Sequence, residues 1–467
     1  MEPMRLNKLT LATLLVISSS ASLAASKPLL TGSNLGYGEA SNNHTIFSST
    51  ANPAWIGGNL HVENNFGMGL SGGFRFQQAG FGELNDQYVN NIKPILTSFN
   101  SSTQSAVVQA TELEQELVSM ITKVRDDFSF QLDAQGNLPL VFTHNKLGGF
   151  GVEMTFATSG TGALLSDDRP VTFDPSQLVA TGSGNSFTDN DLVNALDVKT
   201  GIYLKTAVST EVALTYGDQF YQNDSGHLAV GFRAKMIQAS LVKSVNSFKK
   251  YLTQTANNED ITIASDLSDH SDLNQNENAF GLDIGAQWFA ENWMAGLMVQ
   301  NINTPKFNYN ELGAGTTNQA YTEKYFSNQY ALSESVELTP QARIEGAYYS
   351  KNRHWSLAGS ADLNDASNLL NQKQQWMSVS ASYATDAAGD EWYYALVPDF
   401  RISYHSNLAG DKRKFYAPGL SWGPLNLDIA FEEMSDLSKL SNLSSATDET
   451  IDLPKMVQFN LGLEFYF

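Results

Sequence analysis

The chain has 467 residues and no cysteine, which excludes a disulfide framework and thiol chemistry. Its 49 acidic against 28 basic side chains leave a formal net charge of −21, the wrong sign for a nucleic-acid surface. Mean hydropathy is −0.25, and after the N-terminus no segment approaches the roughly twenty apolar residues of a membrane-spanning helix.

At the N-terminus Arg5 and Lys8 precede the apolar stretch Leu9–Ile17, and Ser22-Leu23-Ala24 offers small residues for cleavage. This pattern predicts a secretory signal peptide over residues 1–24, since the apolar stretch is too short for a membrane anchor. Removing it makes the mature chain about one charge more negative. From Ala106 to Phe128 apolar residues recur at three-four spacing, predicting an amphipathic helix. It is expected to pack on the rest of the protein as a loop helix; a lumen plug or a lipid-surface helix is the alternative. A second short helix is expected at Thr188–Leu196, with Thr188 as N-cap.

The rest of the chain reads as paired strands with tight connections. The pairs are Leu138–Asn145 with Gly149–Thr158, Gly201–Val208 with Glu211–Tyr221, Ala279–Phe289 with Trp293–Ile302, Gln341–Tyr349 with His354–Leu363, Trp376–Ala384 with Glu391–Tyr404, and Phe415–Leu420 with Leu425–Phe431. Polar stretches separate them at Ser159–Thr200, Asn246–Glu277, Asn303–Thr339 and Glu432–Pro454. Short turns alternating with long loops fit a transmembrane barrel better than the even spacing of a sandwich or propeller. The composition, with 35 Gly, 26 Phe, 18 Tyr and 7 Trp, suits glycine-rich strands and aromatic girdles. The direct count is about fifteen strands. A closed barrel with both ends on one side needs an even number, so about fourteen are expected, with twelve to sixteen allowed. The miscount is expected at His227–Phe248, as two strands, or at Asn65–Gln77, as a segment outside the wall.

The last residues, Val457–Phe467, alternate strictly. Val457, Phe459, Leu461, Leu463, Phe465 and Phe467 share one face, and Gln458, Asn460, Gly462, Glu464 and Tyr466 the other. A soluble sandwich strand alternates too, but rarely keeps so uniform an apolar face to a terminus that would fray. Phe467, with Phe465 and Leu463, is similar to the C-terminal signal read by the outer-membrane barrel-assembly machinery.

The run Ser48-Ser49-Thr50-Ala51-Asn52-Pro53-Ala54 resembles the N-terminal hatch of FadL-type outer-membrane transporters. The segments Gln300–Phe307, Gln341–Tyr349 and Ser360–Asn364 resemble the TraF-like conjugal-transfer family, itself similar to FadL in its barrel pattern. The resemblance implies that Asn52, Pro53 and Ala54 lie in a hatch within residues 25–64. It also implies passive uptake of a hydrophobic small molecule that leaves sideways through the wall. Pro53, lacking an N–H, suits a plug that stays out of the sheet, and equally any turn. The family label implies a conjugation-associated barrel as the alternative, but no redox cysteine or basic conduit for DNA accompanies it.

No enzyme is expected. His405 and Ser406 are adjacent and point to opposite faces of a strand. His354 and Ser356 share a face but follow a tight turn, the wrong end for outer-leaflet lipid. Asp167-Asp168 and Glu259-Asp260 lack calcium-loop spacing and read as solvated loop charge. The expectation is therefore an all-β antiparallel barrel of residues 65–467 in the outer membrane, with lipid and lipopolysaccharide around it. It has no metal, cofactor or nucleic-acid partner.

Overall fold

Eighteen strands account for the described sheet structure. They are β1 (Phe66–Ala79), β2 (Ser129–His144), β3 (Gly148–Phe173), β4 (Leu196–Asn223), β5 (Gly226–Ser247), β6 (Asn276–Phe289), β7 (Trp293–Gln300), β8 (Lys306–Asn308), β9 (Ser335–Glu337), β10 (Gln341–Tyr349), β11 (Trp355–Asp362), β12 (Ala366–Ser367), β13 (Lys373–Gln374), β14 (Trp376–Tyr383), β15 (Asp399–Asn407), β16 (Lys414–Trp422), β17 (Leu425–Phe431) and β18 (Met456–Tyr466). This computed structural model describes residues 29–42, 45–58, 66–97, 103–144, 146–178, 188–256, 276–310, 325–326, 329, 331, 333–384, 397–440 and 453–467. The expected signal peptide, the Glu259-Asp260 run and the Thr385–Asp390 turn lie outside them.

Fourteen strands close into one antiparallel barrel in the order β1-β18-β17-β16-β15-β14-β11-β10-β7-β6-β5-β4-β3-β2. The seam closes at the end of the chain: the Phe467 N–H donates to the Phe66 carbonyl at 2.8 Å, and the Phe66 N–H to the Phe467 carbonyl at 3.2 Å. Closure leaves the barrel no free sheet edge. Short turns join the hairpins at one end except between β14 and β15, and the connections at the other end are long except the six residues between β15 and β16.

The pleat turns sequence alternation into two environments. On β18 Phe459, Leu461 and Phe465 are exposed outward, while Gln458, Asn460 and Glu464 are buried inward. Leu214, Phe232, Ile284, Leu297, Leu357 and Ile402 continue the outward apolar belt around the wall. At the short-turn end the belt is rimmed by aromatic contacts, Phe150–Tyr216 at 5.1 Å and Trp355–Tyr383 at 4.7 Å between ring centroids. An apolar band edged by aromatics around a polar interior is the exterior of a membrane-spanning barrel.

The expected miscount lies elsewhere than anticipated. Phe66–Ala79 is in the wall, and Gly226–Ser247 is one strand. Ser209-Thr210 is not a turn: both residues pair with Ala157 and Phe156 on one side and Ala239 and Gln238 on the other. Neither has the positive-φ tolerance that a tight hairpin needs, and the ladder satisfies their backbones. The stretch Ser159–Thr200 likewise carries strand at both ends, to Phe173 in β3 and from Leu196 in β4, and Asp167-Asp168 falls where β3 breaks register between Ser166 and Val171.

These long strands build an extension beyond the membrane. β4 has 28 residues, about 90 Å at ~3.3 Å per residue, against an apolar band about 25 Å tall. Ile202 and Leu204 lie on the same outward face of β4 as Leu214, and Leu164 on the outward face of β3; all three are buried. They are covered by helices α4 (Phe81–Gln87), α5 (Lys93–Thr97), α6 (Thr103–Val124), α7 (Asp189–Asn194) and α8 (Phe248–Ala256). α6 buries Leu113, Leu117, Ile121 and Val124 at three-four spacing. The expected helix therefore packs against the outer face of the wall and is not a lumen plug. α7 has the expected cap: Thr188 Oγ1 accepts from the Asp191 N–H at 3.3 Å, and Asp191 Oδ2 accepts from the Thr188 N–H at 2.8 Å.

Candidate functional site in the barrel lumen

The described residues between 29 and 58 sit inside the barrel, and all but Leu30, Ala51 and Gly58 are buried. They form three single-turn pieces, α1 (Asn34–Tyr37), α2 (Ser48–Ala51) and α3 (Ala54–Gly58). Such pieces leave most backbone groups unsatisfied, so the lumen wall must supply partners.

Serines of the wall take the carbonyls. Ser403 Oγ donates to Leu35 O at 2.7 Å, Ser380 Oγ to Tyr37 O at 2.8 Å, and Ser360 Oγ to Gly38 O at 3.2 Å; Ser378 Oγ also donates to Gly38 O. Together they cap the C-terminal end of α1. Carboxylates of the wall take the donors. Glu464 accepts from the Ile46 N–H at 2.8 Å and Thr45 Oγ1 at 2.9 Å; Asp428 accepts from the Gly36 N–H at 3.3 Å. Glu345 accepts from the Ser41 N–H and from Asn52 Nδ2, both at 2.6 Å. Arg233 donates to Ser49 O and to Thr50 O.

Two buried ionic groups complete the fastening. Arg343 bridges Glu39 of the luminal segment and Asp362 of β11, the latter at 2.7 Å. Arg401 pairs with Asp428 at 2.8 Å and lies over the Tyr37 ring at 5.1 Å.

The Asn52-Pro53-Ala54 turn has a local logic. Asn52 Oδ1 accepts from the Ala54 N–H at 3.0 Å, an Asx-type turn opening α3. Pro53 stands just before that helix, where the N–H groups have no intrahelical partner and a missing one costs nothing. The turn lies on glycines from adjacent strands: a Cβ at Gly231 would collide with the Pro53 carbonyl and the Ala54 nitrogen, and one at Gly285 with the Asn52 side chain. Gly217 meets Gly57, and Gly149 meets Ile56. At Gly231 and Gly217 glycine is required because backbone packs on backbone, not for turn geometry.

Of the segments read from sequence, Gln341–Tyr349 meets Asn52 through Glu345, while Arg343 and Ser360 meet Glu39 and Gly38 elsewhere on the luminal segment and Asp362 holds Arg343. Phe467, Phe465 and Leu463 stand apart, at the seam. His354 Nδ1 lies 2.7 Å from Ala384 O, whereas Ser356 Oγ meets Ser382 Oγ at 2.5 Å, so the pair is divided between separate contacts. His405 Nε2 turns to Ser403 Oγ at 2.8 Å and Leu35 O at 3.0 Å. Sequence reading missed the seating glycines and capping serines. Their signal is small residues at inward positions of neighbouring strands, visible only once register is known.

Residues 49–362 match the family described as "F plasmid transfer operon, TraF, protein". The chain belongs to this family. In this TraF-family barrel the matched span runs from α2 to the end of β11, so it contains the Asn52 turn, its glycine seat, and both Arg343 and Glu345. No curated protein matches the sequence. Among solved structures it is similar to a deltaS2 mutant of the TodX monoaromatic hydrocarbon channel, at 10% identity over 93% of this chain and 96% of that one, TM-score 0.42. It is also similar to a Pseudomonas aeruginosa FadL homologue, at 10% identity over 94% and 98%, TM-score 0.42. The P. putida toluene transporter TodX matches at 9% identity over 93% and 99%, TM-score 0.39.

The long-loop mouth of the TraF-family barrel carries a lid. Phe307, Tyr309, Val336, Leu338, Leu369 and Leu370, from the loops holding the β8–β9 and β12–β13 ribbons, pack on Ala207, Ile237 and Leu241 of the wall. Glu334 latches it, 2.5 Å from Lys205 Nζ and 3.8 Å from Lys243 Nζ, with Asn371 donating at 2.9 Å. Burial pushes the Glu334 carboxyl up, but Lys205, Asn371 and Lys243 together hold it below its ordinary value of 4.5. The latch's contribution is therefore complete above pH 4.5 and is lost as pH falls through the lower folded-state value. Protection from hydrogen exchange at residues 306–308 and 335–337, taken relative to the intrinsic rate at each pH, should hold from neutral pH down to that range and fall only below it. Glu334→Gln should make exchange fast at neutral pH.

Proposed function

We propose that this TraF-family protein is a passive small-molecule conduit of the bacterial outer membrane, closed by its N-terminal segment acting as a hatch. The observation that carries this reading is the match between the segment's polar groups and inward side chains around the wall. A chain that merely filled space would not need serine caps for its carbonyls and carboxylates for its amides. The resemblance to FadL-type barrels supports a hydrophobic cargo, whereas the chemistry of the cavity, taken up below, favours a different one. The protein is not proposed as an enzyme.

The test is solute flux into liposomes reconstituted with the intact protein and with Asn52–Ala54 deleted. Deletion should raise flux at least tenfold while the barrel keeps its heat-modifiable gel migration. If both proteins are equally tight, the second reading takes over: a structural surface barrel associated with conjugal transfer, which the family description favours.

The C-terminal residues are proposed as the signal for barrel assembly. Phe467 also helps close the seam, its ring 5.9 Å from that of Phe66. Deleting Phe467 should lower the yield of heat-modifiable barrel in outer membranes several-fold. An unchanged yield would remove the assembly role.

A further inference from the structure

Between the luminal segment and the lid lies a cavity of ≈ 160 Å³, and beside it a second of ≈ 250 Å³; Arg75, Gln374, Trp376 and Phe415 line both. Most known small-molecule pockets are mainly apolar; this chamber is not.

The cations of its lining are matched by carboxylates. Arg75 pairs with Asp133 at 2.7 Å, Lys235 with Asp283 at 2.8 Å, and Arg343 with Glu39 and Asp362. Arg233 lies 3.5 Å from Asp283, Arg413 3.3 Å from Asp411, and Lys373 2.9 Å from Asp365. An ionic ligand would have to break one of these pairs, and at Asp133, Asp283 or Asp362 that leaves a buried carboxylate uncompensated; only Asp365 and Asp411 reach water. A hydrocarbon would strip water from the same ions and from the amides of Asn34, Gln300, Gln341, Gln374 and Gln458, returning no hydrogen bonds.

What the lining offers is uncharged hydrogen bonding beside an aromatic surface. Asn34 is only 4% exposed and lines the cavity, yet its Oδ1 accepts no hydrogen bond among the described residues. The Trp376 indole stands edge-on to Phe415, ring centroids 5.6 Å apart. Amides in many orientations around an aromatic plate suit a ligand with many hydroxyls and one apolar face.

We propose that the chamber binds a neutral, hydroxyl-rich solute of saccharide type, the Trp376–Phe415 pair meeting its ring and the Asn34 and Gln374 amides its hydroxyls. This rests on the conduit reading above and names its cargo class, in place of the hydrophobic molecule that the FadL resemblance implies.

The experiment is calorimetric titration of the full-length protein in detergent with glucose and maltose, against oleate, toluene, glutamate and arginine. Saturable binding of a sugar is expected. It should weaken at least tenfold in Trp376→Ala and in the milder Gln374→Ala, and stay unchanged in Phe400→Ala on the outer face. Heat-modifiable migration verifies that each variant is folded. The proposal is overturned if neither sugar binds, if sugar binding ignores both chamber substitutions, or if oleate or toluene binds in a Trp376-dependent way. Liposome flux of the same sugars is read separately: binding without flux keeps the chamber's ligand class and sinks the conduit.

Discussion

Gly231→Val is expected to open the barrel without unfolding it. The added Cβ would lie on the Pro53 carbonyl and the Ala54 nitrogen, which are backbone atoms of a turn already held by Asn52 and cannot rotate aside. Overpacking typically costs about 1–3 kcal/mol even where side chains can adjust. Here the clash falls between the wall and the segment inside it, so lifting the segment relieves it, whereas the β5 ladder to β4 and β6 has no cause to change. The expected result is a heat-modifiable barrel whose liposome flux approaches that of the Asn52–Ala54 deletion. Gly217→Ala should act in the same direction, since its Cβ meets the Gly57 nitrogen and the Pro53 carbonyl. Gly346→Ala is the control: its Cβ would have ordinary contact at 3.5 Å, with the Met294 carbonyl and not with the segment. Equal flux in wild type and Gly231→Val would show that the segment does not obstruct the path.

Arg343→Ala should release the other side of the segment, by an electrostatic route. The guanidinium is shared by Glu39 and Asp362, and Asp362 is itself buried. Removing one member of a buried ion pair typically costs about 3–5 kcal/mol, because the remaining charges lose compensation where water cannot reach them. The cost to the closed state is avoided if Glu39 moves to water with the rest of the segment. At about 1.4 kcal/mol per tenfold, it corresponds to a shift on the order of 100-fold to a few thousand-fold toward the open arrangement. Glu39→Gln combined with Arg343→Met should recover much of the closed state, since the stranded charge on the segment is gone. Flux through the single and double variants measures the coupling. Equal flux in both would mean that the ion pair does not hold the segment.

Much of this barrel was legible from residue order. The outward and inward faces of β18 are those read from Val457–Phe467, because a strand exposes alternate residues whatever its neighbours. The α6 helix shows the three-four spacing visible in Leu113, Leu117, Ile121 and Val124, and the Thr188 cap at α7 is where a Thr-x-x-Asp run places it. Pro53 and Asn52 stand inside the wall, against Gly231 and Gly285.

What failed did so for one physical reason: local sequence does not report register or partners. Ser209-Thr210 resembled a turn only because a polar pair stood between two apolar runs; the ladders on both sides make it mid-strand. The polar stretch after Ser159 resembled a loop because its strands leave the membrane, so their outer face meets helices and water in place of lipid. The role of Gly231 and Gly285 appears only when β5 and β6 lie side by side with Pro53 against them.

The sequence by itself thus determined a membrane barrel of about fourteen strands, an N-terminal turn unfit for the sheet, and an amphipathic helix in a loop, since each follows from periodicity or from a residue's own backbone chemistry. Only the tertiary structure decided that Arg343, Glu345, Ser360 and Glu464 grip one luminal segment, and that the chamber's charges cancel in pairs. Those facts depend on which inward side chains, from positions as far apart as Glu39 and Arg343, meet across the lumen, and barrel closure sets that geometry.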